Sequence, residues 1–478
     1  MVGFIGRERE LATLDGLLRR VGTGGRAGRP SRAVLMRGRR RVGKSRLAEE
    51  FVERADVPYL FFTASAQPDA DTDIRLFTEA VASSSLPGAS TFREQRPSSW
   101  DAALRLLSAA LPEGGPCVLI LDEMPYLVAN DAGFEGTLQK LFDREFSRHA
   151  VLLLCIGSDL AMMEALNHYG RPFHQRAIEM VIPPLSPADV AAMLDLPAAE
   201  AFDAYLVTGG LPLILDEWPH GASVTSYLTE AVGDPTSALL VSAERALAAE
   251  FPVEAQARQV LAAIGSGERT FSLIGRAAGG IPQGSVHRSL QLLATKRLVE
   301  VMVPLSTRAS RDTRYVVADP YLRFWLTFLG PYINEIERGR GDLVLDRIES
   351  AWTTWRGRAI ESVVGESLRR LPSGVLPDGT NAVGGYWTRT NDPEIDIVAA
   401  DRAPIAERIT AVGSIKWQEA RAFDAHDLAT LLHHRSRLPG ADDSTPLLAV
   451  TRAGAVTDGC LVLAPEDLLA AWQREVTV

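Results

Sequence analysis

The residues whose types and spacing are best suited to chemistry lie in a glycine-rich segment close to the start of the chain. The segment reads Gly38-Arg39-Arg40-Arg41-Val42-Gly43-Lys44-Ser45. Its two glycines let the backbone turn so that successive N–H groups point at phosphate oxygens. Lys44 adds positive charge near the β and γ phosphates, and the hydroxyl of Ser45 is a ligand for Mg²⁺. The spacing predicts a P-loop, formed by residues 38–45, that binds ATP with Mg²⁺.

The segments on either side of this loop have the patterns that a P-loop needs. An apolar run at residues 33–36 precedes it and predicts a buried strand, while residues 45–52 show the apolar spacing of a helix. The N-terminus of that helix would face the bound anion, because its unpaired N–H groups and its dipole favour negative charge. We therefore expect an α/β domain with a parallel sheet.

A second apolar run, residues 117–121, ends in two acids, Asp122 and Glu123. Continuous apolar runs are typical of strands buried on both faces of a parallel sheet, and such sheets bind ligands at the carboxyl ends of their strands. We predict that Asp122 holds Mg²⁺ through water and that Glu123 polarises the water that attacks the γ-phosphate. Lys44 and Glu123 are then catalytic residues of an ATP hydrolase.

Two further polar residues stand beside later strands. Ser158 follows the apolar run 151–156, where a polar side chain can sit beside the γ-phosphate as a sensor; a simple strand-end turn explains it equally well. Arg176 ends the segment 171–176, just before another strand. An arginine there can stabilise transition-state charge, in its own chain or in a neighbouring subunit of a homo-oligomer. The alternative for Arg176 is a solvated surface residue.

The composition limits the possible functions. The chain has 478 residues and a formal net charge of −10, which excludes a protein that binds nucleic acid over its whole surface. Residues 254–315 differ, because they carry nine Arg or Lys and only four Asp or Glu. Cys117 and Cys155 lie in apolar runs, as expected for buried thiols in a reducing compartment. No apolar signal segment or membrane-length run stands out, so we expect a cytoplasmic protein without a membrane partner.

The basic middle segment has the pattern of short helices followed by a hairpin. Ser285 is the predicted cap of a helix with apolar residues at helical spacing, and residues 299–303 and 314–317 are the predicted strands. This pattern resembles a winged helix-turn-helix, in which the capped helix enters the major groove of DNA and the wing contacts phosphates. The alternative is a winged helix that packs only within the molecule. The candidates for DNA contact are Gln283, His287, Arg288, Lys296, Arg308 and Arg311.

Four segments of the first half resemble the archaeal-type ATPases of the AAA+ and STAND branches of P-loop NTPases. They are the opening residues 4–11, the glycine-rich loop, the strand that ends in two acids, and the segment 208–212. The last segment, with Gly210 and Pro212, resembles the Gly-x-Pro element of the lid domain, which in those ATPases reports on the bound nucleotide. The resemblance implies an α/β core followed by a small helical lid.

From residue 320 onward the chain resembles a C-terminal domain of unknown function that follows many archaeal-type ATPases and looks related to PD-(D/E)xK nucleases. In such nucleases acids hold Mg²⁺ and a lysine steadies the attacking water or the phosphate. The resemblance places Glu361 on a helix, Asp396 on one strand and Lys416 on the next. The second acid position is Ser414, and a hydroxyl is a weak substitute for a carboxylate on a hard cation. We therefore expect nuclease activity to be lost or weak.

These patterns predict four domains. They are an ATPase core at residues 1–185, a helical lid at 186–250, a winged helix at 251–319 and a nuclease-like α/β domain at 320–478. The first hypothesis for function is a Mg²⁺-dependent ATPase whose nucleotide state switches the two C-terminal modules. The second is an ATP-binding, DNA-associated regulator with little turnover, and the third is an ATP-gated DNA nuclease. The expected ligands are ATP, Mg²⁺ and, through the winged helix, DNA.

Overall fold

The computed structural model describes residues 4–22, 31–66, 69–174, 176–251 and 255–473. Gln175, in the segment that ends at Arg176, and the start of the basic segment at residue 254 lie outside the described residues. The chain forms two compact units, Met1–Pro184 and Leu185–Val478. Among the described residues, no helix is both long enough and apolar enough to cross a membrane.

The first unit alternates helices and strands. Its strands are β1 (Arg32–Arg37), β2 (Tyr59–Thr63), β3 (Pro116–Asp122), β4 (Ala150–Gly157) and β5 (Ala177–Val181). Its helices are α1 (Glu8–Gly22), α2 (Lys44–Ala55), α3 (Ala70–Ala82), α4 (Trp100–Ala110), α5 (Met124–Asn130), α6 (Phe134–Arg144) and α7 (Leu160–Leu166), with 3₁₀ turns at Ala89–Arg93 and Phe146–Arg148.

The strand order in the first sheet is β2-β3-β4-β1-β5, and every neighbouring pair is parallel. Parallel strands need crossover connections, and helices connect these strands. The central strands β1, β3 and β4 are buried almost throughout, as their continuous apolar runs predict. The predicted parallel-sheet α/β fold of the P-loop domain is confirmed. The loop 38–45 connects β1 to α2 at the same edge of the sheet at which β3 and β4 end.

The second unit is mainly helical, with a hairpin and a second sheet. Its helices are α8 (Pro187–Leu194), α9 (Ala198–Thr208), α10 (Pro212–Leu215), α11 (Val224–Gly233), α12 (Ala238–Glu250), α13 (Gln256–Gly265), α14 (Phe271–Ala277), α15 (Gln283–Thr295), α16 (Pro320–Phe324), α17 (Ile333–Glu337), α18 (Gly341–Arg370), α19 (Ala425–Arg437) and α20 (Pro465–Gln473), with a π-helical turn at Trp325–Leu329 and a 3₁₀ turn at Gly330–Tyr332. Its strands are β6 (Val299–Met302), β7 (Arg314–Val317), β8 (Ala382–Trp387), β9 (Glu394–Ala400), β10 (Ile409–Lys416), β11 (Leu447–Thr451) and β12 (Leu461–Leu463).

The first helices of the second unit share a hydrophobic core with its C-terminal part. Phe202 and Leu206 on α9 lie in one buried cluster with Ile360 on α18, Trp417 after β10 and Leu448 on β11. The rings of Phe202 and Trp417 meet edge to face at 5.6 Å. The predicted lid segment and the predicted nuclease-like segment therefore bury the same apolar surface, which favours their folding together.

A buried ion cluster joins the same two segments. Asp203 on α9 accepts hydrogen bonds from Arg356 on α18, at 2.9 Å, and from Arg452 after β11, at 2.6 Å. Burial raises the pKa of Asp203, while the two guanidinium groups oppose that shift. Removal of either arginine would leave buried charge less well compensated, which is usually costly.

The middle segment has the predicted order of helices followed by a hairpin. The strands β6 and β7 pair antiparallel, with Val299 opposite Val317. The prediction that Ser285 caps the helix was wrong, because α15 begins at Gln283 and Pro282 is the residue before it. Proline fits there because its ring fixes φ and its missing N–H is not needed at a helix start. Ser285 is instead buried in the first turn of α15.

The second sheet has the order β12-β11-β10-β9-β8. The pairs β8–β9 and β9–β10 are antiparallel, whereas β10–β11 and β11–β12 are parallel. The helix α18 precedes this sheet in the chain, and α19 connects β10 to β11. This order places Glu361 on α18, Asp396 on β9 and Lys416 at the end of the neighbouring strand β10.

Candidate active site

The backbone of the loop 38–45 turns in a way that depends on its glycines. Gly43 has φ of 86° and Arg41 has φ of 67°, so both lie in the left-handed region that glycine adopts most easily. A Cβ at Gly38 would lie 2.4 Å from the carbonyl oxygen of Ile182, which is too close for any side chain. Glycine at position 38 therefore lets the loop pack against the backbone of Ile182, and the left-handed turn at Gly43 fits a P-loop.

Lys44 begins α2 and is buried with its ammonium group against the loop. Its Nζ donates hydrogen bonds to the carbonyl oxygens of Gly38 and Arg39, both at 2.9 Å. Burial lowers the pKa of Lys44 to about 8, while the charges of Glu123 and Asp122 oppose that shift. The ammonium is held by neutral carbonyls, which a phosphate group can replace as a stronger acceptor.

Ser45 and Asp122 lie in direct contact at the mouth of the loop. The hydroxyl of Ser45 donates to Oδ2 of Asp122 at 2.7 Å, and Oδ1 of Asp122 accepts from the backbone N–H of Glu123 at 2.9 Å. Oxygen ligands of this kind are those that Mg²⁺ prefers. The two predicted metal ligands therefore form one pair, and their chemistry fits the ion.

Glu123 and Ser158 form a second pair beside the first. Glu123 stands just after β3 with φ of 53°, an uncommon conformation for a residue with a side chain. The hydroxyl oxygen of Ser158 lies 3.2 and 3.1 Å from the two carboxylate oxygens of Glu123 and donates to this carboxylate. The neighbouring strands β3 and β4 thus bring together two residues that are 35 positions apart in the chain.

Arg176 lies in a different set of contacts. Its Nε donates to Oδ2 of Asp143 on α6 at 3.1 Å, and its Nη1 donates to the carbonyl oxygen of Pro172 at 3.0 Å. In the part of the chain that the structure describes, no hydrogen bond or ion pair joins Arg176 to Glu123 or Ser158. A role for Arg176 in charge stabilisation, within this chain or in a neighbouring copy, stays a prediction.

Sequence reasoning missed Arg7, which precedes α1. This buried side chain donates from Nη2 to the carbonyl oxygens of Val42, at 2.8 Å, and Pro183, at 2.6 Å. It therefore connects the start of the chain to the loop 38–45 and to the end of the first unit. Arg7 also lies 3.6 Å from Glu10, but its distant partners are backbone carbonyls, which no pairing of side-chain types in the sequence could have signalled.

The three predicted nuclease-like residues surround a cavity of about 330 Å³ in the second unit. Oδ2 of Asp396 accepts hydrogen bonds from the Ser414 hydroxyl at 3.0 Å and from the backbone N–H of Ile415 at 2.8 Å. The Lys416 ammonium lies 3.0 Å from Oδ1 of Asp427, a buried acid on α19 that sequence reasoning did not single out. The lysine is thus already paired with an acid.

Glu361 faces this cavity from α18. Burial raises its pKa to about 7; the nearby charge of Arg269 opposes that shift and that of Asp396 adds to it. Across the described residues, no group of three or more His, Cys, Asp or Glu side chains is placed to hold a metal ion. Position 414 carries a hydroxyl where the resemblance to an active nuclease implies a carboxylate.

The wing of the middle segment is attached to the second sheet. Arg314 on β7 is buried, donates to Oε1 of Glu394 on β9 at 2.6 Å and stacks 4.4 Å from the ring centre of Trp387. The backbone N–H of Leu305, after β6, donates to the carbonyl oxygen of Gly385 on β8 at 2.9 Å. These contacts support the alternative in which the wing packs within the molecule.

The six candidates for DNA contact differ in exposure. Lys296 is half-buried, with its ammonium 5.3 Å from the ring centre of Phe251. The exposed candidates are Gln283, His287, Arg288, Arg308 and Arg311. DNA binding through these residues stays a prediction.

Comparisons with known proteins give distant similarities. The family described as archaea bacterial proteins of unknown function (DUF234) matches residues 325–428. An uncharacterized protein of Methanocaldococcus jannaschii is 23% identical over 424 residues, and the match covers 87% of this chain and 90% of that protein. The family match lies in the second unit, after the hairpin.

Three solved structures are also similar. The Walker-type ATPase of Pyrococcus abyssi has 20% identity and a TM-score of 0.48, over 68% of this chain and 96% of that one. The ORC2 protein of Aeropyrum pernix, solved as ADPNP–ADP complexes, has 14% identity and a TM-score of 0.45, over 73% of this chain and 97% of that one. The ORC1 protein of the same organism, solved in complex with DNA, has 17% identity and a TM-score of 0.33, over 73% of this chain and 95% of that one. The fold assignment rests on the strand order and the loop geometry described above.

Proposed function

We propose that the chain binds ATP with Mg²⁺ in the first unit and hydrolyses it. The observation that carries this proposal is the contact between Ser45 and Asp122 at the mouth of a loop whose backbone turns through the left-handed region at Gly43. A serine hydroxyl just after the glycine-rich loop and an aspartate at the end of a strand are the pair that P-loop enzymes use to position Mg²⁺. When bound, Mg²⁺ neutralises charge that develops on the β and γ phosphates.

The residues of the chain have separate tasks in this proposal. The backbone N–H groups of the loop and the N-terminus of α2 bind the phosphates, and Lys44 exchanges its two carbonyl partners for phosphate oxygens. The Glu123 carboxylate orients the attacking water, and Ser158 fixes the direction of that carboxylate through its hydroxyl. Ser158 is therefore a positioning residue, because it acts through Glu123.

The experiment that tests this proposal separates binding from turnover. Glu123→Gln should keep ATP affinity within about twofold, since the amide leaves Asp122 and the loop unchanged, and should lower the rate of phosphate release about 100-fold. Ser158→Ala should lower kcat about tenfold with little change in KM. Isothermal titration calorimetry measures ATP affinity, and phosphate release measures the rate.

A matched control is Glu113→Gln, which neutralises an exposed acid shortly before β3 and should leave both measurements at their wild-type values. Turnover by Glu123→Gln at the wild-type rate would remove Glu123 from the proposed role. Absence of ATP binding by wild type would overturn the proposal as a whole.

We propose that the nucleotide state acts as a switch on the middle and C-terminal modules and that the protein does not cut DNA. The support is the core that α9 of the predicted lid shares with α18 and the second sheet, together with the Asp203 ion cluster. A lid that changes position with bound nucleotide would have to carry these elements with it. The serine at 414 favours this switch over an ATP-gated nuclease, because a hydroxyl stands where the nuclease resemblance implies the second acid.

A further inference from the structure

A cavity of about 190 Å³ in the second unit is lined by three arginines, and none of its described lining residues is an Asp or Glu. Arg269 precedes α14, Arg323 lies on α16 and Arg358 lies on α18. Side-chain hydroxyls complete the polar part of the wall. They belong to Ser266, Tyr315, Thr327 and Thr354. Every charged side chain that lines this cavity is therefore positive.

The arginines are held close to one another by the fold. Nη2 of Arg323 donates to the backbone carbonyl oxygen of Arg358 at 3.2 Å, so these two residues are in direct contact. Burial lowers the pKa of Arg323 to about 10, and the charges of Arg269 and Arg358 also act to lower it. Like charges that repel at close range attract an anion into the space between them.

Nearby acids compensate this charge only in part. Nη1 of Arg269 lies 4.0 Å from carboxylate oxygens of both Glu361 and Glu394, which is beyond hydrogen-bond distance. Glu394 is already bound by Arg314 at 2.6 Å. Within the described ranges, Arg323 and Arg358 have no carboxylate partner at ion-pair distance. An excess of positive charge therefore remains at this cavity.

We propose that this cavity binds a phosphate group, and that this group is the terminal phosphate of a nucleic-acid strand. Guanidinium groups match phosphate oxygens in charge and in planar geometry. Arg269 and Arg358 also line the cavity that contains Asp396 and Lys416, so the two cavities adjoin. A strand that ends at the arginines would leave the cavity along Arg269 and Arg358, which both cavities share.

The size of the arginine cavity and the residues in its wall favour binding of the end of a nucleic-acid strand over binding of its middle. The arginine cavity is the smaller of the two, and apolar side chains, including Phe328 and Trp355, form part of its wall. The end of a strand needs less space than a passing strand, whose backbone continues on both sides of the bound phosphate. The site does not depend on ATP hydrolysis in the first unit, so the two proposals can fail separately.

Fluorescence anisotropy with the full-length protein tests this site. The probes are three short single-stranded DNA oligonucleotides of one sequence, with a 5′-phosphate, with a 3′-phosphate or with two hydroxyl ends. Wild type should bind one of the phosphorylated oligonucleotides about tenfold tighter than the hydroxyl form. Arg358→Gln should lose this preference, and the exposed position of Arg358 makes the variant compatible with folding.

The matched control is Arg347→Gln on the same helix. Arg347 pairs with Glu335 and does not line the cavity, so its removal changes the net charge equally and should keep the preference. Arg323→Lys is a second variant that keeps the charge but loses the fork of donors, and it should weaken the preference for a phosphorylated end. If Arg358→Gln and Arg347→Gln lost the preference for a phosphorylated end equally, the proposal would be overturned, because net charge alone would then explain the preference.

Isothermal titration with inorganic phosphate distinguishes the two sources of phosphate. The titration uses Lys44→Ala as the parent, so that the P-loop does not contribute. Phosphate binding that Arg358→Gln removes, without any end preference for DNA, would support the phosphate site and overturn its assignment to a nucleic-acid strand. Absence of both phosphate binding and end preference in the parent would overturn the whole proposal.

Discussion

The two clefts that carry acids, one in each unit, contain similar groups in different arrangements. In both, a serine hydroxyl donates to an aspartate on a neighbouring element: Ser45 to Asp122 at 2.7 Å, and Ser414 to Asp396 at 3.0 Å. In both, a lysine stands close by. In the first cleft a second acid, Glu123, follows the aspartate, whereas in the second cleft the second acid position is the serine itself.

The partner of each lysine separates the clefts further. Lys44 is held by two neutral carbonyl oxygens, whereas Lys416 is paired with the buried acid Asp427. A lysine on carbonyls gains energy when it turns to a phosphate, while a lysine on a carboxylate would have to give up a charged partner. The comparison indicates that the first cleft is prepared for a charged ligand and that the second largely satisfies its own charges.

Replacing each lysine in turn should give the largest effect that tests this comparison. Lys44→Ala should weaken ATP binding about 100-fold or more, because the charge that meets the β and γ phosphates is lost. Lys416→Ala should leave ATP affinity unchanged and lower the free energy of unfolding by about 1 kcal/mol, since Arg421 still pairs with Asp427. Calorimetric titration and urea denaturation measure the two quantities. Similar losses of ATP affinity in both variants would contradict the distinction.

A somewhat smaller effect follows from the pKa of about 8 for Lys44. Below that pH the ammonium is charged and can meet phosphate; above it the free protein holds a neutral amine. ATP affinity should therefore fall about tenfold as the pH rises from about 7 to about 9, and binding near pH 8 should take up protons. Titrations in buffers of different ionisation enthalpy measure that uptake. Lys44→Arg, which does not titrate in this range, should abolish both effects.

The smallest effect concerns the serine of the second cleft. Wild type should show little or no Mg²⁺-dependent cleavage of plasmid DNA. Ser414→Glu restores a carboxylate two residues before Lys416, on the same face of β10, and should tighten Mn²⁺ binding about fivefold in the absence of nucleotide. Ser414→Gln, similar in size but neutral, is the control. Equal Mn²⁺ affinity in the two variants would show that position 414 does not face a metal site.

The sequence was sufficient to predict strands and loops wherever a continuous apolar run or a fixed spacing of residue types marks them. The apolar run before the loop became β1, the run that ends at Asp122 became β3, and the two predicted strands of the wing became β6 and β7 with little change in their bounds. These elements could be predicted because a strand buried on both faces is apolar throughout, while a half-buried element is apolar at a fixed period. The prediction that Ser285 caps α15 was wrong because the helix begins two residues earlier, at Gln283, directly after Pro282.

Long-range pairing could not be predicted in this way. Arg7 contacts the carbonyl of Pro183, 176 positions away, and Asp203 meets Arg452, 249 positions away. Arg314, the first residue of a predicted strand of the wing, is buried against Glu394 and Trp387. Such contacts depend on which elements pack together, and one sequence contains no periodic signal for that choice.

The shared core of α9, α18 and the second sheet determines where this chain can be cut for study. A fragment that starts at residue 320 would expose the faces of Ile360 and Trp417 that pack with Phe202, and it would leave Arg356 and Arg452 without Asp203. A fragment that starts at Leu185 keeps all of these partners. The C-terminal domain should therefore be expressed together with the lid helices, because they complete its hydrophobic interior.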